Sequence, residues 1–273
     1  MKRRRFRVSL PHVMLVAVLV FFYVPIGKVI VNAFNADESL NTWGGATLRW
    51  FREALGSERV RDDFLTSASI AGLSTVIAVV LSVTAVMGAA KLSQSSRRRL
   101  QTLTYARMML PEVVIAVGLL LLIRRLDLTL GLWSVVAGHV IFCSAYATLV
   151  IQARFATLKG TYDEAAADLG APPWRAFVRV LLPMLLPAIA ISSLLSFTFS
   201  FDDVVSTVFL AGPETETLPI LILGMSRQGV SPDVNAIAVS FMAVTMLALA
   251  LFGLASWWRS RSVQGGTARK DSQ

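Results

Sequence analysis

The feature that most constrains this chain is a set of apolar runs too long for the core of a soluble domain. Residues 10–33 carry a single charge, Lys28, and residues 64–90, 128–153 and 234–258 carry none. Two further runs are interrupted by ionisable groups: 103–123 by Arg107 and Glu112, and 183–208 by Asp202 and Asp203. Each run is long enough to cross a hydrocarbon core of about 30 Å at about 1.5 Å per residue. Backbone amides find no water in lipid, so such runs must be helical. A membrane β-barrel would show alternating segments of about 10 residues instead. The expected fold class is therefore an all-α membrane protein with six transmembrane helices.

Composition narrows the function. The set AVILMFWYC makes up 55% of the chain and charged residues 16%, against roughly 25% charged in soluble domains. That balance excludes a soluble enzyme and a disordered regulator. Cys143 is the single cysteine, which excludes a disulfide framework and a Cys-based zinc site. His139 and Cys143 lie one turn apart in 128–153. Two ligands do not make a metal site, so no metal is expected, and an interhelical hydrogen bond is the favoured reading of His139. The net charge of +9 does not point to nucleic acid, because the basic residues flank the apolar runs and form no stripe interleaved with aromatics.

The same distribution sets the topology. Most of the 26 Lys and Arg residues fall in alternate loops: at 2–7, at 91–107, at 154–179 and beyond 258. By the positive-inside rule those loops are cytoplasmic, and so are both termini. The chain then divides into a cytoplasmic N-terminus 1–9, one transmembrane domain 10–258 and a cytoplasmic tail 259–273. The start resembles a signal peptide, but its apolar run is too long and lacks a clear small-residue cleavage site, so a retained anchor is expected.

Two connections are long. In the external one, 35–63, Leu48, Phe51 and Leu55 share a helical face and Gly56 can end the helix. This pattern predicts an interfacial helix, with Trp43 and Trp50 at headgroup level. The cytoplasmic loop 154–182 contains a capping box, Thr161–Glu164, then Ala165, Ala166, Ala167 and Leu169, then Gly170 as a stop. Pro172 and Pro173 begin a second short helix at 174–182. Read from the residues alone, this elbow is a well-capped connector.

The loop also resembles a known family. Glu164, Ala165, Ala166, Gly170, Val180, Leu182 and Pro183 fit the spacing of the "EAA" loop of permease subunits of type I ABC importers, with Val180 where Ile is usual. The resemblance implies that these residues form a coupling helix between spans four and five, seated on a cytoplasmic ATPase. The chain has no G-x-x-x-x-G-K-[ST] of its own, so ATP and magnesium belong to a partner and no cofactor is expected here. The segments Ser196–Phe209, Gly212-Pro213, Thr217-Leu218-Pro219, Gly229–Ala236 and Leu110–Val114 further resemble the second permease subunit of spermidine/putrescine importers. What this implies is a multi-pass protein of the bacterial cytoplasmic membrane, not an enzyme. Its partners would be a second permease, two ATPase subunits and an extracytoplasmic polyamine-binding protein.

Acids at membrane depth cost at least about 2.5 kcal/mol each on insertion scales, so Glu112, Asp202 and Asp203 are functional candidates for that reason alone. Ser192, Ser196, Ser200, Asp203 and Thr207 recur at helical steps and predict a polar stripe lining a wet pathway. Asp202 lies about 100° away round such a helix, as a flank or a second ligand. A polyamine needs spaced carboxylates and apolar walls for its methylenes. Phe197 and Phe201 supply a wall, and Trp50 is either a contact for incoming substrate or an interfacial anchor. The short apolar run 218–225 cannot cross, and is either re-entrant or a contact for an external protein. Three alternatives stay open: the same machine carrying another cationic or amino-acid-like solute, an intramembrane enzyme, and a secondary transporter. The last usually shows inverted repeats and broken helices, and neither is evident in the sequence.

Overall fold

The structure, a computed structural model, describes residues 10–158 and 172–267. Among them the secondary structure is helical apart from one antiparallel bridge, Asn35 to Ala46. The order is α1 (Leu10–Ala33), α2 (Arg49–Gly56), α3 (Glu58–Ala90), α4 (Gln94–Met109), α5 (Glu112–Arg125) and α6 (Leu132–Leu158). There follow α7 (Pro173–Ala176), a π-helical turn (Phe177–Leu181), α8 (Leu182–Phe201), α9 (Val205–Leu210), α10 (Leu218–Gln228) and α11 (Pro232–Thr267). The described helices at Leu10–Ala33, Glu58–Ala90, Leu132–Leu158 and Trp174–Phe201 are long and apolar enough to cross a membrane. The α4–α5 pair meets the same test as one broken span bent by 101°. The first part of α11, Pro232–Leu247, is apolar but shorter.

The chain packs as two groups. In the first, formed by residues before Asp62 with Ile222–Val244, Ala33, Trp50 and Ala236 are buried together. The short helix expected in 35–63 is present as α2, but Trp50 turns inward rather than to headgroup level. Its buried face carries Trp50 and Ala54, whereas Leu48 and Leu55 are exposed. The reason is a polar anchor: the indole Nε1–H of Trp50 donates to the Asn35 carbonyl at 2.7 Å, which turns the ring inward. The Arg49 guanidinium lies 3.8 Å from the centre of that ring. Asn35 uses its whole side chain, donating to Ser39 O (3.1 Å) and Thr42 O (2.7 Å) and accepting from Asp37 N (3.2 Å) and Gly44 N (2.9 Å). The Thr42 hydroxyl and the Ser39 amide hold the exposed Asp37 carboxyl below its ordinary pKa. A carboxylate lowered in the folded state supports the loop above its unfolded value and loses that support as the pH falls through the folded one.

In the second group, Asp62–Leu221 with residues beyond Val244, α3, α6 and α8 pack through one apolar cluster. It contains Val79, Val86, Ile151, Phe155, Leu181 and Leu185. Small residues let these backbones approach, as at lipid-embedded interfaces. Ser82 Oγ donates to the Ser144 carbonyl at 3.0 Å and accepts from Thr148 Oγ1 at 3.0 Å, tying α3 to α6. A second cluster, with Ile70, Ile123, Val135, Val136 and Leu210, joins α3, α5, α6 and α9.

Three expectations change. The run 103–123 is not one helix but α4 and α5, separated at Leu110 and Pro111. Pro111 has no N–H and forces its predecessor out of the helical region; Leu110 sits at φ −70°, ψ 130°. The run 183–208 is likewise interrupted after Phe201, by Asp202–Val204, where the Asp203 side chain accepts from the Ser206 amide. Broken helices are therefore present, contrary to the sequence reading. Finally, the helix expected at 174–182 is not a separate element from the fifth span. It runs through the π turn, where the Leu182 amide donates to Phe177 O, directly into α8.

Candidate functional site

The two breaks bring the acids together. Glu112 opens α5 immediately after Pro111, so its carboxylate sits at the positive end of that helix. Its Oε1 accepts from the Ser206 hydroxyl on α9 at 2.9 Å. Asp203 lies in the second break, just before α9, and its Oδ1 accepts from the Ser206 amide at 3.1 Å. Each carboxylate thus serves a helix N-terminus, where four amides lack an intrahelical partner.

His139 on α6 ties the arrangement. It is 1% exposed. Its Nδ1 hydrogen-bonds with Ser200 Oγ at 2.6 Å and its Nε2 with Thr207 Oγ1 at 3.2 Å. Nε2 also lies 2.6 Å from Asp203 Oδ2, an ion-pair distance without hydrogen-bond alignment. One imidazole therefore bridges the end of α8, the break and the start of α9, which makes the expected interhelical hydrogen bond a junction of three segments. Two carboxylates and one imidazole thus meet where the two helices break.

The other candidates are placed as follows. Ser192, Ser196 and Ser200 are buried along α8, Asp203 in the break and Thr207 on α9, so the stripe continues across the break rather than along one helix. Asp202 is exposed, beside Asp203 in the break. Phe197 and Phe201 stack with centroids 5.4 Å apart, and Phe64 meets Phe201 edge-on at 5.7 Å. Trp50 is committed to its own group by the bond to Asn35. Val180 is exposed in the π turn, Leu182 opens α8 and Pro183 follows it, exposed. Glu164, Ala165, Ala166 and Gly170, with the Thr161 capping box, lie outside the described residues.

The residue that sequence reasoning left out of the pathway is His139. The signal was available: an ionisable ring in a run without charges calls for the same treatment as Glu112. Ser206 and Thr207 were less visible, since their role depends on the break.

A family model described as "Binding-protein-dependent transport system inner membrane component" matches residues 82–258. The chain belongs to this family. It is a multi-pass membrane component of a transport system, a permease rather than an enzyme. Its relatives agree across nearly the whole length. It is 31% identical over 231 residues to the spermidine/putrescine transport system permease protein PotC of Escherichia coli (strain K12), covering 85% of this chain and 88% of that one. It is 35% identical over 253 residues to the putrescine transport system permease protein PotI of the same strain, covering 87% and 86%. The spermidine/putrescine permease PotC of Haemophilus influenzae is 32% identical, with 89% and 94% covered. Among solved structures, a bacterial ABC transporter that imports the acidic polysaccharide alginate matches with a TM-score of 0.69 at 19% identity, covering 93% of this chain and 96% of that one. The MetNI methionine ABC transporter matches at 0.62 and 13%, covering 76% and 99%. These two likenesses establish the permease fold.

Proposed function

We propose that this chain is one of two permease subunits of an ATP-driven importer of polyamines such as spermidine or putrescine. It works with a second permease, two cytoplasmic ABC ATPases that hold ATP and magnesium, and an extracytoplasmic binding protein that delivers the solute. In this reading it crosses the bacterial cytoplasmic membrane six times with both termini inside. The observation that carries the proposal is the junction of Glu112 and Asp203 at two broken helices. The names of the relatives, which specify spermidine and putrescine, support it.

The chemistry follows from the geometry. Glu112 is the more accessible carboxylate and meets an ammonium first. That group displaces the Ser206 hydroxyl, a neutral donor, and gains a charge-assisted bond. Asp203 is held between His139 and the Ser206 amide and sets the field without leaving its place. The stacked Phe197 and Phe201 wall the methylenes. Binding must be weak enough to release the solute, which suits two carboxylates better than many. Glu164, Ala165, Ala166 and Gly170, with Val180, Leu182 and Pro183, transmit ATPase closure to α8. The unbroken helix from Pro173 to Phe201 gives that push a rigid lever ending at Asp202.

ATPase activity of the whole importer in proteoliposomes, with its binding protein, tests the substrate. Spermidine or putrescine is expected to stimulate hydrolysis, and an unrelated anionic solute is not. Stimulation by another solute alone would overturn the polyamine assignment while leaving the importer class intact.

A further inference from the structure

Away from the acidic cluster, the second group holds a cavity of about 500 Å³ between α3, α4 and α6. One wall is polar and basic. Arg97, Gln101, Thr104 and Arg107 follow each other at helical steps on α4 and all line it. The rest of the lining is mostly apolar, with Ala85 and Ala89 from α3 and Phe155 from α6, and Thr148 and Gln152 add polar groups on α6. Arg107 is half-buried, and its single hydrogen bond goes to a neutral acceptor, Ser144 Oγ, at 3.1 Å. Among the described residues no carboxylate pairs with Arg97 or Arg107.

A guanidinium offers five N–H donors in a fixed fork, and one neutral hydroxyl leaves most of them open. Phosphate and carboxylate are the groups that fill such a fork. The apolar wall asks for hydrocarbon beside the anion. The place of the cavity in the fold adds a location: it lies at the Ala85–Ala90 end of α3 and the Thr148–Ala156 end of α6, the ends that lead into the Lys- and Arg-rich loops. Basic pockets between membrane helices take anionic headgroups for this reason.

We infer that the cavity between α3, α4 and α6 binds an anionic phospholipid, with its phosphodiester on Arg107, Arg97 adding positive field at the other end of the pocket, and an acyl chain along Ala85, Ala89 and Phe155. The site is separate from the proposed solute pathway and does not depend on the identity of the solute. An occupied pocket would fix α4 against α3 and α6, and with it the break that positions Glu112.

The test is native mass spectrometry of the chain purified in detergent with its co-expressed subunits, after exchange into phosphatidylglycerol or phosphatidylcholine. Wild type is expected to retain phosphatidylglycerol and not phosphatidylcholine. The double variant Arg97→Gln/Arg107→Gln is expected to lose at least about fivefold in occupancy. Ala89→Phe, which fills the pocket without touching charge, should lose it too. Arg98→Gln/Arg99→Gln removes the same charge outside the lining and should keep it. Equal loss in that control, or no phosphatidylglycerol on wild type, overturns the site. Displacement by millimolar inorganic phosphate would reassign it to a free anion and overturn the lipid reading. Each variant is compared at matched elution volume and subunit content, so a misfolded sample is not scored as a loss.

Discussion

His139 shows how one side chain can set the local architecture. Its ring meets Ser200, Asp203 and Thr207 at once. Removing it leaves a buried carboxylate without its partner, at a cost of about 2–3 kcal/mol. His139→Ala should therefore lower the thermal unfolding midpoint of the purified protein by about 5 °C. An unchanged midpoint would mean that the imidazole does not hold the break together. Trp50 gives a contrasting case. Trp50→Phe keeps a ring beneath Arg49 but deletes the donor to Asn35, so about 1 kcal/mol of stability should go while solute KM stays put. A large rise in KM at unchanged stability would instead place Trp50 on the substrate. At this scale the sequence was legible for the acids, because charge in lipid is costly wherever it sits. It was not legible for Trp50, whose inward turn depends on a carbonyl 15 residues away in sequence, and no periodicity reports that.

Helices read well from the sequence and their breaks did not. The run 10–33 became α1 residue for residue, Pro25 and Lys28 included, since backbone amides in so apolar a segment find partners only within a helix. At Pro111 and at Asp203 a local rule overrode the run: a missing N–H in one place, a side chain that captures an amide in the other. Both signals were present as residues, but length and hydropathy outvoted them. Close approaches between elements were invisible for the same reason, and Gly212 is the clearest. A Cβ there would lie 2.4 Å from the Leu130 carbonyl oxygen, and backbone cannot swing aside. Gly212→Ala should cost at least about 2 kcal/mol and visibly lower folded yield in the membrane. Gly88→Ala meets nothing within 4 Å and removes a helix-weakening residue, so it should be neutral or slightly stabilising. Equal behaviour of the two variants would contradict the close approach of Gly212 to the Leu130 carbonyl.

For the molecule as a whole, the account joins a basic edge, a lever and an acidic junction. In the proposed topology the Lys- and Arg-rich loops face the cytoplasm, and the proposed coupling role makes the loop 154–182 the place where ATP energy enters. Glu164→Ala should therefore uncouple the machine: transport falls at least about tenfold while membrane abundance and solute binding by the external protein stay normal. Transport at the wild-type rate would remove the coupling role. The class of machine was legible from one loop motif and the run pattern. The way its pathway is assembled was not, because it depends on which helix ends meet in space.

The central claim is that Glu112 and Asp203 together form the cation-selective point of the pathway. Uptake of labelled spermidine and putrescine by cells expressing the complete system tests it most directly, comparing wild type with Glu112→Gln and Asp203→Asn at equal membrane abundance. The account predicts import by wild type and a loss of at least about tenfold in each variant, since a neutral isostere keeps the shape and removes the charge. Wild-type uptake in both variants would contradict it.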